Sequence, residues 1–238
     1  MATGVTVGED VKTESLLAEI PEPVAHWKLD DEGAVAQDSA GNHHGKIHGA
    51  TPVPGRAGKA LLFDRSKSQH VSIPYAKDFE LRTFTVSAWV KLTRKPTFSG
   101  ILGTRFGSEC TFDMKVNANK VHGDIGDGKR WIETKVNFYA GDTGSNGQGG
   151  ILKLDQWYRI TYVIDDVGKA CRLYLDGDLK KKISFTGTPR LMQPGQTMRI
   201  GCSSGTEFMD GIISDLQIWK AALTEAQVQA ISRPASTR

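Results

Sequence analysis

The chain has 238 residues, 39% of them apolar and 24% charged, with a formal net charge of +3 at pH 7. That apolar content can fill a globular core, which argues against disorder of the whole chain, and all-β sandwiches of this length fold as single units. Basic and acidic residues are interspersed without the stripe that nucleic-acid backbones require, and no run approaches the roughly 18 apolar residues of a membrane span, so neither partner is expected.

Residues 1–22 are polar and lack the basic start, apolar stretch and small-residue cleavage site of a secretory signal, so they read as a flexible leader. One domain is expected over residues 23–232, with a short tail at 233–238. Alternating runs predict strands at Val24–Leu29, Ala60–Phe63 and His70–Ile73. The turn Asp38-Ser39-Ala40-Gly41-Asn42 lies between the first two, followed by His43, His44 and His48. Those imidazoles are metal-ligand types, but adjacent His43 and His44 in a turn point apart, which favours an ordinary loop.

The clearest strand is Thr83–Leu92, where Phe84, Val86, Ala88, Val90 and Leu92 share one face and Thr85, Ser87, Trp89 and Lys91 the other. Trp89 therefore lies opposite its own strand's apolar set, so either that second face is also covered or the ring is open to a ligand. A further strand is expected at Cys110–Val116. The segment His122–Gly150 then holds Arg130, Trp131, Asn137, Tyr139 and Asn146 and ends in a polar glycine-rich loop. A sugar site needs an aromatic face for the ring's C–H side and fixed polar groups for its hydroxyls, and these five residues supply both. The competing reading makes Trp131 core and the loop a plain connector.

Strands follow at Trp157–Ile164, Cys171–Leu175, Met198–Ile200 and Ile212–Trp219. Asp176-Gly177 between two alternating runs is a hairpin signal, because both residues tolerate positive φ. The Lys180–Lys182 run reads as a solvated strand end. Thr224 with Gln227 forms a capping box that opens a short terminal helix. Cys110, Cys171 and Cys202 lack the spacing of a zinc or redox site, Cys171 reads as a small buried hydrophobe, and a Cys110–Cys202 bridge is left open.

Read in order, Val24-Ala25-His26-Trp27-Lys28-Leu29-Asp30, Gly58-Lys59-Ala60-Leu61-Leu62-Phe63-Asp64, Phe84-Thr85-Val86-Ser87-Ala88-Trp89-Val90, Leu173-Tyr174-Leu175-Asp176-Gly177 and Asp210-Gly211-Ile212-Ile213-Ser214-Asp215-Leu216-Gln217-Ile218-Trp219 resemble laminin-G-like, concanavalin A-like lectin domains. The resemblance implies an all-β fold, a jelly-roll sandwich of two antiparallel sheets with first and last strands adjacent and a short C-terminal helix. It implies a module that binds a glycan or protein ligand in an extracellular, periplasmic or cell-surface setting. It also implies a structural Ca²⁺ near Asp64 and Asp215, with Asp30 and Asp38 as weaker candidates. Arg65 stands where relatives usually have Gly, a departure that bears on that corner's backbone.

Laminarinase-type glucanases of this fold carry Glu-x-Asp-x-x-Glu on one strand, and this chain has no such motif. Asp124 and Asp127 sit three apart, hence on opposite faces of a strand. The expectation is a non-catalytic carbohydrate-binding module. A protein-interaction or adhesion module is the alternative, and a hydrolase or lyase using Asp113 or Asp124 is the third reading.

Overall fold

Side chains that alternate apolar and polar make strands, and strands with one apolar face must stack in pairs of sheets to hide it. The computed structural model describes residues 20–95, 97–117, 120–132 and 152–233. One sheet runs β13 (Asp178–Ser184), β12 (Ala170–Leu175), β11 (Trp157–Asp165), β7 (Phe84–Leu92), β15 (Gly211–Trp219), β5 (Lys59–Phe63), β4 (Thr51–Pro54), with β1 (Ala25–Trp27) also paired to β15. The other runs β10 (Lys120–Ile125), β9 (Phe112–Asn117), β8 (Phe98–Gly103), β14 (Met198–Ile200), β6 (His70–Ile73), β3 (Gly45–His48), β2 (Val35–Ala36). All these pairings are antiparallel, and Ala25 lies opposite Ile218, so the first and last strands are neighbours. The fold is the expected jelly-roll sandwich.

Inward residues of both sheets form one core, in which Phe84 of β7 meets Phe112 of β9 edge-on at 5.3 Å between ring centres. The eight-stranded sheet is also covered on its outer face. There α1 (Glu225–Ser232), opened by the Thr224–Gln227 capping box, lays Val228 against Val163, Tyr174 and Trp219. Further along that face Trp89 is buried beneath Arg56, whose guanidinium carbon stands 3.9 Å from the ring centre, with Arg159 at 5.7 Å. Of the two options for Trp89, a covered second face is the one realised. The Asp176-Gly177 hairpin forms with φ of 53° and 90°, as its residue types require. All three cysteines are free, so no Cys110–Cys202 bridge exists. Among the described residues no helix is long and apolar enough to cross a membrane.

Candidate functional site

Strand β9 alternates Phe112, Met114 and Val116 with Asp113, Lys115 and Asn117, so the apolar set enters the core and the polar set faces outward. On its neighbour β10, Asp124 stands directly opposite Asp113 and His122 opposite Lys115. These groups are outward yet not open to water: Asp113 is 0% exposed and Lys115 2%.

The cover comes from the loop after β14. It crosses β8 so closely that a Cβ on Gly100 would fall 2.1 Å from the Ser203 nitrogen, and one on Gly103 2.5 Å from the Ser203 oxygen. Glycine is required at both positions for that approach. The Gly100 nitrogen donates to the Glu207 carbonyl at 3.0 Å, and Cys202 pairs with Phe208, so the loop forms a ridge that carries Glu207 into the charged group.

Lys115 Nζ then donates to Asp113 Oδ2 at 3.1 Å and Glu207 Oε2 at 3.2 Å, and lies 3.5 Å from Asp124 Oδ2. Arg105 bonds Asp113 through Nε and Glu207 through Nη2 at 3.2 Å, and His122 Nε2 lies 3.2 Å from Asp124 Oδ1. Three carboxylates thus share two permanent cations. Burial, with Asp124 beside it, pushes the Asp113 carboxyl above its usual 3.8. Burial acts the same way on Asp124 and Glu207. There it is outweighed, at Asp124 by the His122 hydrogen bond and at Glu207 by the Ser203 hydrogen bond, with Lys115 and Arg105 helping both, so these two are held ionised.

Two half-exposed aromatic rings bracket this floor. Phe98 is 38% exposed, with Lys115 Nζ 5.4 Å from its ring centre, and Trp131 is 40% exposed, with the Arg105 guanidinium at 5.2 Å. Trp131 is placed by a turn in which Asp127 Oδ1 accepts from the Lys129 and Arg130 nitrogens at 2.8 and 2.7 Å, after which Trp131 pairs back to Gly126. The span from Asp113 to Asn117 along β9 is about 13 Å.

A family model for the concanavalin A-like lectin/glucanases superfamily matches residues 65–229. The chain belongs to that superfamily. Among solved structures, domain 4 of AbnA, a GH43 extracellular arabinanase from Geobacillus stearothermophilus solved with arabinotriose, is similar at 19% identity and a TM-score of 0.65, covering 89% of this chain and 98% of that one. The binding domain of Paraclostridial Mosquitocidal Protein 1 matches at 15% identity and a TM-score of 0.65, covering 91% of this chain. The ligand-binding domain of botulinum neurotoxin serotype D, solved with N-acetylneuraminic acid, matches at 12% identity and a TM-score of 0.62, also over 91%. This chain spans 52% of each of those two, and at such identities the likeness shows the fold. No curated protein sequence matches.

Of the residues singled out from the sequence, Trp131 stands at the rim as an open ring and Arg130 is exposed beside it. Asn137, Tyr139 and Asn146 lie outside the described residues. Asp113 and Asp124 are brought together across the strand pair. The site's other members, Phe98, Arg105, Lys115, His122 and Glu207, escaped sequence reading, although charges alternating with the apolar set of β9 were a usable signal for Lys115.

Three of the aspartates considered for calcium, Asp38, Asp64 and Asp215, bond other groups of the protein. Asp64 accepts from Ser66 N at 2.9 Å and caps a short 3-10 turn. Asp38 accepts from the His26, Ala40 and His43 nitrogens. Asp30 is exposed. Asp215 bonds Arg159 and lies 2.6 Å from His26 Nε2, while at the Asp64 corner Asp210 accepts from Arg65 N at 3.0 Å. The structure therefore does not bring Asp64 and Asp215 together, and among the described residues no group of three or more His, Cys, Asp or Glu is placed to hold a metal ion. Arg65 takes an ordinary negative φ and ties this corner to the ridge, donating from Nε to the Phe208 carbonyl at 3.0 Å. His43, His44 and His48 reach separate partners: Asp78, the Asp38 nitrogen and Ser72.

The Asp215 cluster predicts an acid limb of stability. Burial alone would raise its carboxyl, but the hydrogen bond from His26 and the charge of Arg159 outweigh it and hold the carboxyl well below 3.8. A depressed folded-state value means the contribution is complete above about pH 4 and lost as pH falls further. Asp215→Asn should therefore show a shallower decline in urea-unfolding stability between pH 5 and pH 2.5 than wild type; parallel curves would remove this role.

Proposed function

We propose that the outer face of β8, β9 and β10 binds a carbohydrate chain, with Trp131 and Phe98 as stacking platforms and the partly exposed Arg105, Asp124 and Glu207 as polar contacts, held rigid from below by the buried Asp113 and Lys115. The observation that carries this reading is the pair of half-exposed rings at the two ends of a buried, cross-linked charged surface. Sugars need flat apolar faces beside hydrogen-bonding groups that do not reorganise on binding, and both are present. The arabinotriose and N-acetylneuraminic acid seen on two fold relatives support a glycan as the ligand class. An exported accessory module fits these relatives, one of which belongs to an extracellular enzyme.

The cross-strand carboxylates Asp113 and Asp124 favour a second reading, glycoside hydrolysis. That chemistry needs a protonated carboxyl facing the substrate beside an ionised one. The carboxyl with the raised value, Asp113, is fully buried, while the more open Asp124 and Glu207 are held ionised by the His122 and Ser203 hydrogen bonds, with Lys115 and Arg105 beside them. This distribution supports binding over turnover.

Affinity electrophoresis through a panel of plant and bacterial polysaccharides tests the proposal. Wild type should be retarded by at least one polysaccharide, and Trp131→Ala and Phe98→Ala should each weaken that retardation about tenfold, the worth of one aromatic stacking contact. Unchanged retardation in both variants would remove this face as the site. Reducing-sugar release from the same panel, abolished by Asp124→Asn, would favour the hydrolytic reading.

A further inference from the structure

The same sheet face continues beyond the ridge with the opposite electrical character. Lys46, Ser72, Arg199, Gly103, Asp113 and Asp124 stand directly opposite one another across six neighbouring strands, so all share the outward face. On the Asp113 side, carboxylates outnumber permanent cations. On the far side, neither Lys46 nor Arg199 joins an ion pair among the described residues.

Arg199 is fixed by its neighbours. Its guanidinium lies 4.2 Å over the Phe106 ring and touches the Cys202 thiol, yet its buried Nε has no hydrogen-bond partner among the described residues, an arrangement that costs energy. Beside it His48 and His70 stack at 4.4 Å, with His48 Nε2 at 2.8 Å from Ser72 Oγ and Phe208 against His70. Burial, assisted by Arg199 at both rings and by Lys46 at His48, keeps both imidazoles below their usual 6.5, consistent with an uncompensated positive field. Arg105 and Phe106 are consecutive, so the Trp131–Arg105 contact and the Phe106–Arg199 contact meet end to end. From Asp113 to Arg199 is two strand spacings, about 10 Å, within reach of one short oligosaccharide.

We infer that the carbohydrate bound here carries an oxyanion, a uronate carboxylate or a sulfate ester, which docks on Arg199 while a neighbouring ring stacks on Trp131. This deepens the carbohydrate-binding reading and rests on it. Guanidinium groups bind carboxylate and sulfate oxygens through paired charge-assisted hydrogen bonds, and stacking on an aromatic ring fixes the guanidinium plane in advance.

A glycan array of matched pairs decides it: oligogalacturonates against their methyl esters, and sulfated galactans against the desulfated chains. Wild type should prefer the anionic member of at least one pair by roughly tenfold or more, and the preferred pair tells carboxylate from sulfate. Arg199→Ala should bind both members at the neutral member's level, whereas Trp131→Ala should weaken both alike. Should Arg199→Ala fail to fold, Lys46→Ala, whose side chain is exposed, should still reduce the preference. Equal binding of matched members by wild type, or a preference that survives both cation variants, overturns the oxyanion assignment and leaves carbohydrate binding standing. Absence of any glycan binding by wild type overturns both.

Discussion

Lys115→Met should lower the unfolding free energy by about 3–5 kcal/mol, the cost of removing one partner from a buried charge pair. The ammonium sits within 3.5 Å of Asp113, Asp124 and Glu207 and is shielded from water, so methionine leaves three carboxylates around an apolar side chain. Arg105 still reaches Asp113 and Glu207, which limits the loss without cancelling it. The double variant Asp113→Leu/Lys115→Met should fall short of the sum of the single losses by about 1 kcal/mol or more, because an apolar pair in the same space avoids the orphaned charge. Urea denaturation of the four proteins measures this. A single-variant loss under about 1 kcal/mol, or a strictly additive cycle, would mean that water reaches these groups and that the floor is not the rigid surface described above.

The second large effect is expected from one methyl group. Gly100→Ala would place a Cβ at 2.1 Å from the Ser203 nitrogen and 2.4 Å from the Glu207 carbonyl oxygen. Both are backbone atoms, which cannot swing aside as a side chain could. The ridge must lift, and Glu207 must leave Lys115 and Arg105. Overpacking of this kind costs about 1–3 kcal/mol, and here the lost ion pairs add to it. Glycan retention should fall with stability, since the polar floor loses a member. Gly205→Ala is the control: no atom of the described residues lies within 4 Å of its new methyl, so it should stay within about 0.5 kcal/mol of wild type. Thermal melts and affinity electrophoresis of both variants give the comparison. A Gly100→Ala protein with unchanged melting and binding would show that the loop does not rest on β8.

Local pattern carried most of the fold. The alternation of Phe84–Leu92 made β7, Trp157–Asp165 made β11, the two positive-φ residues Asp176 and Gly177 made their hairpin, and Thr224 with Gln227 capped the helix. Each is a property of a few consecutive residues, which is why it could be read without the rest of the chain. Strands β2, β3, β4, β8 and β10 were not expected from the sequence, and β4 and β8 escaped for opposite reasons. Thr51-Pro52-Val53-Pro54 carries prolines that a sheet tolerates at its rim, and β4 is the edge strand of its sheet. Phe98–Gly103 has glycines where outward side chains would break the alternation, because the ridge lies on them.

The site divides along the same line. The rim ring Trp131 and the alternation of Asp113 and Lys115 with apolar neighbours are written locally. Glu207, 92 residues beyond Lys115, enters the network through a loop that crosses another strand. Arg56 closes over Trp89 from a hairpin turn, so a ring that sequence left open to either fate is covered. By itself the sequence determined the sandwich, its turns and the resemblance to lectin domains, since periodicity and turn chemistry act over neighbouring residues. Only tertiary structure decided which charges are buried together and which cations are left without carboxylates. Those depend on strand register and on where loops land, and both are set by packing between segments far apart in the chain.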